Sequence, residues 1–160
     1  MMLEEEIRLR ATATHEAAHA VCCKAQGVDV AAICIDARQD GQDGYFQQRT
    51  RNLPLPEYMA AKMVSDLVGG FAELRLFPSE TPAWAADKAR AEKTAWELVG
   101  RRATYQDVQR EITAAEKRAM QFVEDHWQHI EAVAEHLLQF KVLCDAVPVV
   151  AVEKIGITNA

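Results

Sequence analysis

The chain has 160 residues, 49% hydrophobic and 26% charged, with a net charge of −6. A chain of this size buries roughly 70% of its unfolded surface, so residues 1–160 are expected to form one globular domain rather than a disordered segment. The acidic balance and the lack of any Lys/Arg run exclude the basic footprint of a nucleic-acid binder.

Residues 4–26 are predicted to be a helix. Glu4, Glu5 and Glu6 suit the positive end of its dipole, and Gly27 suits the position just past its end. Ile7, Ala11, Thr14, Ala18, Val21 and Ala25 recur at helical spacing and mark one face. Val28–Asp36 is short and β-branched and reads as a strand. Two Asp-Gly pairs in residues 39–44 signal a turn, and Tyr45–Arg49 can return as a second strand. Asn52-Leu53-Pro54-Leu55-Pro56 breaks the chain. A second helix follows from about Glu57 to Phe77, with Gly69-Gly70 marking either a close helix–helix contact or a break. Pro78 ends it. Thr81 and Pro82 fit the cap and first position of a third helix that runs to about Val99. Residues 105–140 contain no Pro or Gly and carry helical spacing throughout, with Glu124-Asp125-His126 as the place for an interruption. Pro148 precedes a short C-terminal piece. The predicted fold class is mainly α with a small β-hairpin beside the first helix.

The segment His15-Glu16-Ala17-Ala18-His19 matches H-E-x-x-H inside the first predicted helix. Histidines at i and i+4 share one helix face and can reach a single Zn²⁺ at roughly 2.0–2.1 Å, while the intervening Glu can take a proton from zinc-bound water. With 5 His in the chain, about 0.01 such matches are expected by chance. The plain alternative is a helix bearing two surface histidines and a solvated Glu. A catalytic zinc needs a third protein ligand and one open position. Glu73, Glu80, Asp87 and Glu92 are available. Asp87 lies at the edge of an apolar arc formed by Trp84, Ala91, Ala95 and Leu98, and Glu92 also falls within an apolar arc, so periodicity does not choose between them. Cys22 and Cys23 follow His19 closely and are read as buried thiols. His126, His129 and His136 are read as surface or half-buried residues with a second metal site as the sharper alternative. Trp84 and Trp96 are read as core, and Glu73 as either support for the site or a solvated carboxylate.

Three segments resemble the peptidase domain of FtsH-type zinc metalloproteases, the ATP-dependent proteases anchored in bacterial and organellar membranes. His15-Glu16-Ala17-Ala18-His19-Ala20 is similar to that family's H-E-A-G-H-A. Leu67-Val68-Gly69-Gly70-Phe71-Ala72-Glu73 is similar to its L-L-G-G-R-A-A-E, and Ala85-Ala86-Asp87-Lys88-Ala89 stands where the family has S-N-D-x-x-x-A. Gly44-Tyr45 and the helical tail Ala115–Leu138 fit as well, in the same order. Ala18 replaces a family Gly, and no Asn precedes Asp87. The resemblance implies a zincin-like helical peptidase fold. It also implies a metal site of His15, His19 and Asp87 holding one Zn²⁺, and Glu16 as general base.

The implied function is zinc-dependent endoproteolysis of peptides or unfolded proteins. The alternative is a zinc-binding regulatory or interaction protein with little proteolytic activity. The sequence contains no G-x-x-x-x-G-K-[ST] loop, so a free-standing relative is expected, and a separate unfoldase or adaptor, or an oligomer, is compatible with it. A peptide is expected to dock as an added strand along Val28–Asp36. The longest apolar stretch, near Ala146–Val152, is too short to span a bilayer, and the acidic N-terminus has the wrong sign for a signal peptide. Four cysteines without a C-x-x-C pair suit reduced thiols, which points to a cytoplasmic protein.

Overall fold

The computed structural model describes residues 4–35, 45–49 and 55–144. The Asp-Gly turn of residues 39–44, residues 52–54 of the predicted break and the piece after Pro148 lie outside the described residues, while Leu55 and Pro56 of that break open the second helix instead. Helix α1 (Glu4–Ala25) stops where the sequence predicts. The Gly27 N–H donates to the Lys24 carbonyl at 3.0 Å and the Val28 N–H to the Cys23 carbonyl at 2.8 Å. Gly27 sits at φ 72°, the left-handed turn that lets a helix close its last carbonyls this way.

The one-face reading of α1 is corrected. Residues Ala13 to Cys23 are all buried, on every side of the helix. Periodicity marks a face only where the opposite face is solvated. Here the opposite side is polar but covered, so Thr14, His15, Glu16 and His19 are buried together with Ala13, Ala17, Ala18 and Ala20. The small alanines let α1 lie close to its neighbours, and its buried polar groups must find partners within the protein.

Strand β1 (Asp29–Cys34) pairs antiparallel with β2 (Tyr45–Arg49), as the hairpin reading requires, and with a short β3 (Val142–Cys144), which it did not anticipate. The order is β2-β1-β3, with Ala31 as an extra residue between Val30 and Ala32. Lys141 takes φ 65°, turning the chain so that its carbonyl accepts from Ile35 N–H at 3.0 Å and Val142 meets Cys34. Residues Ala32–Cys34 therefore have a neighbour on both sides, and an added peptide strand cannot pair there.

Helix α2 (Leu55–Leu76) passes unbroken through Gly69-Gly70, so the pair marks a close contact and not a break. Helix α3 (Ala85–Val99) begins at Trp84, which makes no side-chain cap bond; Thr81 and Pro82 fall in the preceding connection. Helix α4 (Tyr105–Asp125) starts on a reciprocal cap in which Asp107 N–H donates to Thr104 Oγ1 at 3.3 Å and Thr104 N–H donates to Asp107 Oδ2 at 2.8 Å. His126 separates it from α5 (Trp127–Phe140), stacked on Phe122 with ring centroids 4.0 Å apart. The described part of the molecule is thus mainly helical. Helices α1 and α2 are joined to α3, α4 and α5 by one core that includes Val21, Leu67, Ala95, Val108, Ile130 and Leu137. Trp96, read as core, is 41% exposed. Among the described residues, no helix is long and apolar enough to cross a membrane.

Candidate metal centre

Helix α1 brings His15, Glu16 and His19 to the point where α2 crosses it and α3 begins. His15 is 7% exposed, His19 5% and Glu16 9%, which excludes the alternative of two surface histidines. Gly69 permits the crossing. A Cβ built there would lie 2.5 Å from His15 Nε2 and 2.7 Å from His19 Nε2, so only a glycine backbone fits against the two rings.

Helix α2 also orients both imidazoles. His19 Nδ1–H donates to the Ser65 carbonyl at 2.6 Å, and His15 Nδ1–H donates to Glu73 Oε1. A carbonyl can only accept, so the His19 proton sits on Nδ1 and its Nε2 presents a lone pair. The Glu73 carboxylate imposes the same tautomer on His15. The two Nε2 atoms then face each other at 2.9 Å. Two lone pairs at that distance repel unless a cation or a shared proton lies between them.

Asp87, in the first turn of α3, brings its Oδ2 to 3.0 Å from His15 Nε2 and 4.0 Å from His19 Nε2. Among the described residues, His15, His19 and Asp87 are the buried group whose ligand atoms all lie within 4.8 Å of one another. A tetrahedral zinc with bonds of 2.0–2.1 Å has ligand–ligand edges of about 3.3 Å, and the observed separations bracket that value. Two imidazole nitrogens and one carboxylate oxygen also form a donor set that suits zinc. The residues present fit the ion.

The electrostatics set by the side chains agree. Burial disfavours an imidazolium at His15, but hydrogen bonds to Asp87 and Glu73 and the charges of Glu73 and Glu16 outweigh it and hold its pKa well up. Burial and the charge on His15 push His19 well down. The pair thus holds one positive charge, the role a metal would take over. Burial opposes ionisation of Asp87, yet its hydrogen bond to His15 and the charges of His19, His15 and Arg90 keep its carboxyl below the usual range. Glu16 differs. Burial pushes it up to about 7, only partly offset by His15, and its Oε2 is buried without a hydrogen-bond partner.

Of the four carboxylates available in the sequence, the structure brings Asp87 to both Nε2 atoms. Glu73 takes a supporting place, its Oε2 also accepting from Ala83 N–H at 3.2 Å, which ties the connection between α2 and α3 to His15. Glu80 and Glu92 are exposed and away from the ligand group. Cys22 and Cys23 are buried next to Ser65, and burial raises both thiols above their ordinary pKa. His126, His129 and His136 join no such group among the described residues. Trp84 lies half-buried over Gly70, edge-on to Phe71 at 5.1 Å. Sequence reasoning missed Ser65, whose backbone carbonyl gives no signal, and Arg90, which stands three residues after Asp87. No protein-family model matches the chain, and no curated protein matches its sequence.

Proposed function

We propose that this chain is a zinc-dependent metalloendopeptidase with a zincin-like helical fold, related to the FtsH-type peptidase domain its motifs resemble. One observation carries the reading: residues more than 60 positions apart in sequence converge on one buried point beside a glutamate with an unpartnered carboxylate oxygen. His15, His19 and Asp87 would hold the zinc, which when bound would supply Lewis acidity toward a carbonyl and lower the pKa of a water to about 7. Glu16 takes the proton of the attacking water on its carboxylate and delivers it to the leaving amine. Its Oε2, buried without a protein partner, is the acceptor atom for that proton. Glu73 and the Ser65 carbonyl keep the His15 and His19 lone pairs aimed inward. The substrate class is a peptide or unfolded protein, and the proposed location is the cytoplasm.

The test is metal analysis together with cleavage of an unfolded protein by the wild type and Glu16→Gln. About one Zn²⁺ per chain in both proteins, with hydrolysis lost in the variant by about 100-fold or more, supports the reading. Zinc binding without cleavage by the wild type would favour the regulatory alternative. Uptake of no metal would refute both.

A further inference from the structure

Asp87 has two oxygens, and only Oδ2 faces the histidines. Its Oδ1 accepts from Arg90 Nη2, one turn along α3. Arg90 in turn directs Nε to Asp66 Oδ1 at 3.4 Å, and Asp66 Oδ2 accepts from Lys62 Nζ at 2.7 Å. Asp66 directly follows Ser65, whose carbonyl orients His19. One turn of α2 therefore reaches two residues of the site, His19 of α1 through Ser65 and Asp87 of α3 through Asp66 and Arg90.

We propose that Arg90 is a positioning residue that holds Asp87 as a one-oxygen metal ligand, with Asp66 and Lys62 fixing Arg90 in turn. The inference rests on the zinc reading above. A carboxylate can bind a metal through one oxygen or both. Occupying Oδ1 with a guanidinium leaves Oδ2 alone for the ion and preserves the open position that catalysis needs. Arginine suits the task because its planar fork engages two carboxylates through different nitrogens, whereas a lysine ammonium is a point charge on a flexible stem. The Arg90 side chain is 53% exposed, so the pair adds little to folding stability, and its consequence falls on ligand geometry.

The test uses the full chain as wild type, Arg90→Lys, Arg90→Met and Asp87→Ala, loaded with Zn²⁺ or Co²⁺. Arg90→Lys keeps the charge and loses the fork. Its zinc affinity by chelator competition is expected to fall about 10–100-fold, the usual range for a residue that orients a ligand. In the Co²⁺ protein, both Arg90 variants are expected to lose visible d–d intensity as Asp87 adds its second oxygen and the coordination number rises. Metal-free melting, read alongside, is expected to move little, which separates ligand positioning from a purely structural role. Wild-type affinity and a wild-type Co²⁺ spectrum in both Arg90 variants would overturn the inference while leaving the metal centre standing. A wild type that takes up neither ion would overturn the zinc reading and this inference with it, whereas an Asp87→Ala variant with an unchanged Co²⁺ spectrum would remove Asp87 from the ligand set and overturn this inference alone.

Discussion

Replacing Gly69 with Ala tests the centre without touching a ligand. The added Cβ would lie 2.5 Å from His15 Nε2, 2.6 Å from His15 Cδ2 and 2.7 Å from His19 Nε2, where ordinary contact begins at 3.4 Å. The rings must therefore retreat by about 0.7–0.9 Å, the difference between those values. Their far nitrogens are held by Glu73 and the Ser65 carbonyl, so neither ring can rotate away freely. Overpacking of this kind costs about 1–3 kcal/mol. Alanine in a helix interior recovers about 1 kcal/mol relative to glycine. The net loss of stability is then on the order of 0–2 kcal/mol, tolerable for a folded domain. Zinc tolerates much less, since its ligand distances hold within about 0.2 Å. The expected variant is folded but poor in metal, with zinc affinity down by about 100-fold or more. Chelator competition reads the affinity, and metal-free thermal unfolding reads the stability. Gly70→Ala is the control, because the three atoms nearest a Cβ there all belong to the Trp84 ring, so its main effect is a lower melting temperature. Wild-type zinc affinity in Gly69→Ala would show that the two Nε2 atoms do not hold the ion against this helix.

Three further outcomes are expected. Asp87→Ala should abolish tight zinc binding, Glu73→Gln should weaken it about 10–100-fold, and the exposed Glu92→Ala should leave it unchanged by elemental analysis and chelator competition. Glu16 titrates at about 7 in the folded chain and at 4.5 in the ordinary state, so the stability linked to its neutral form is fully present below 4.5 and lost as pH rises through 7. In chelator, Glu16→Gln should therefore melt higher than the wild type at pH 8, by about 3 kcal/mol in the limit, with the advantage gone at pH 4; superimposable curves would refute the buried-carboxylate account. Because its 160 residues hold no phosphate-binding loop, the chain should cleave an unfolded protein, spare a stably folded domain and ignore ATP; ATP-stimulated loss of the folded domain would refute this.

Much of the local structure was legible because its causes are local. Gly27 ends α1, Tyr45–Arg49 pairs back on β1, and His126 interrupts the long helical segment, each at the place its own residues indicate. The start of α3 was misplaced because Thr81 and Pro82 carry a helix-start signal that the connection between α2 and α3 overrides, with Ala83 N–H tied instead to Glu73. Strand β3 escaped notice because three residues show no periodicity. It exists only because Lys141 turns the chain onto the edge of β1.

His15, Glu16 and His19 could be read together from sequence alone, because an i, i+4 spacing on a helix places two side chains on one face whatever the rest of the chain does. The third carboxylate could not be chosen that way. Glu73, Glu80, Asp87 and Glu92 have the same chemistry, and what separates them is where α2 crosses α1 and α3 packs on α2. That arrangement sends Asp87 to the two Nε2 atoms, Glu73 to the back of the His15 ring, and Glu80 and Glu92 to solvent. The roles of Ser65, Asp66 and Arg90 were also decided by the tertiary structure. A backbone carbonyl, a largely buried carboxylate and an exposed guanidinium gain their place around the site only from the side chains that packing brings within reach of them.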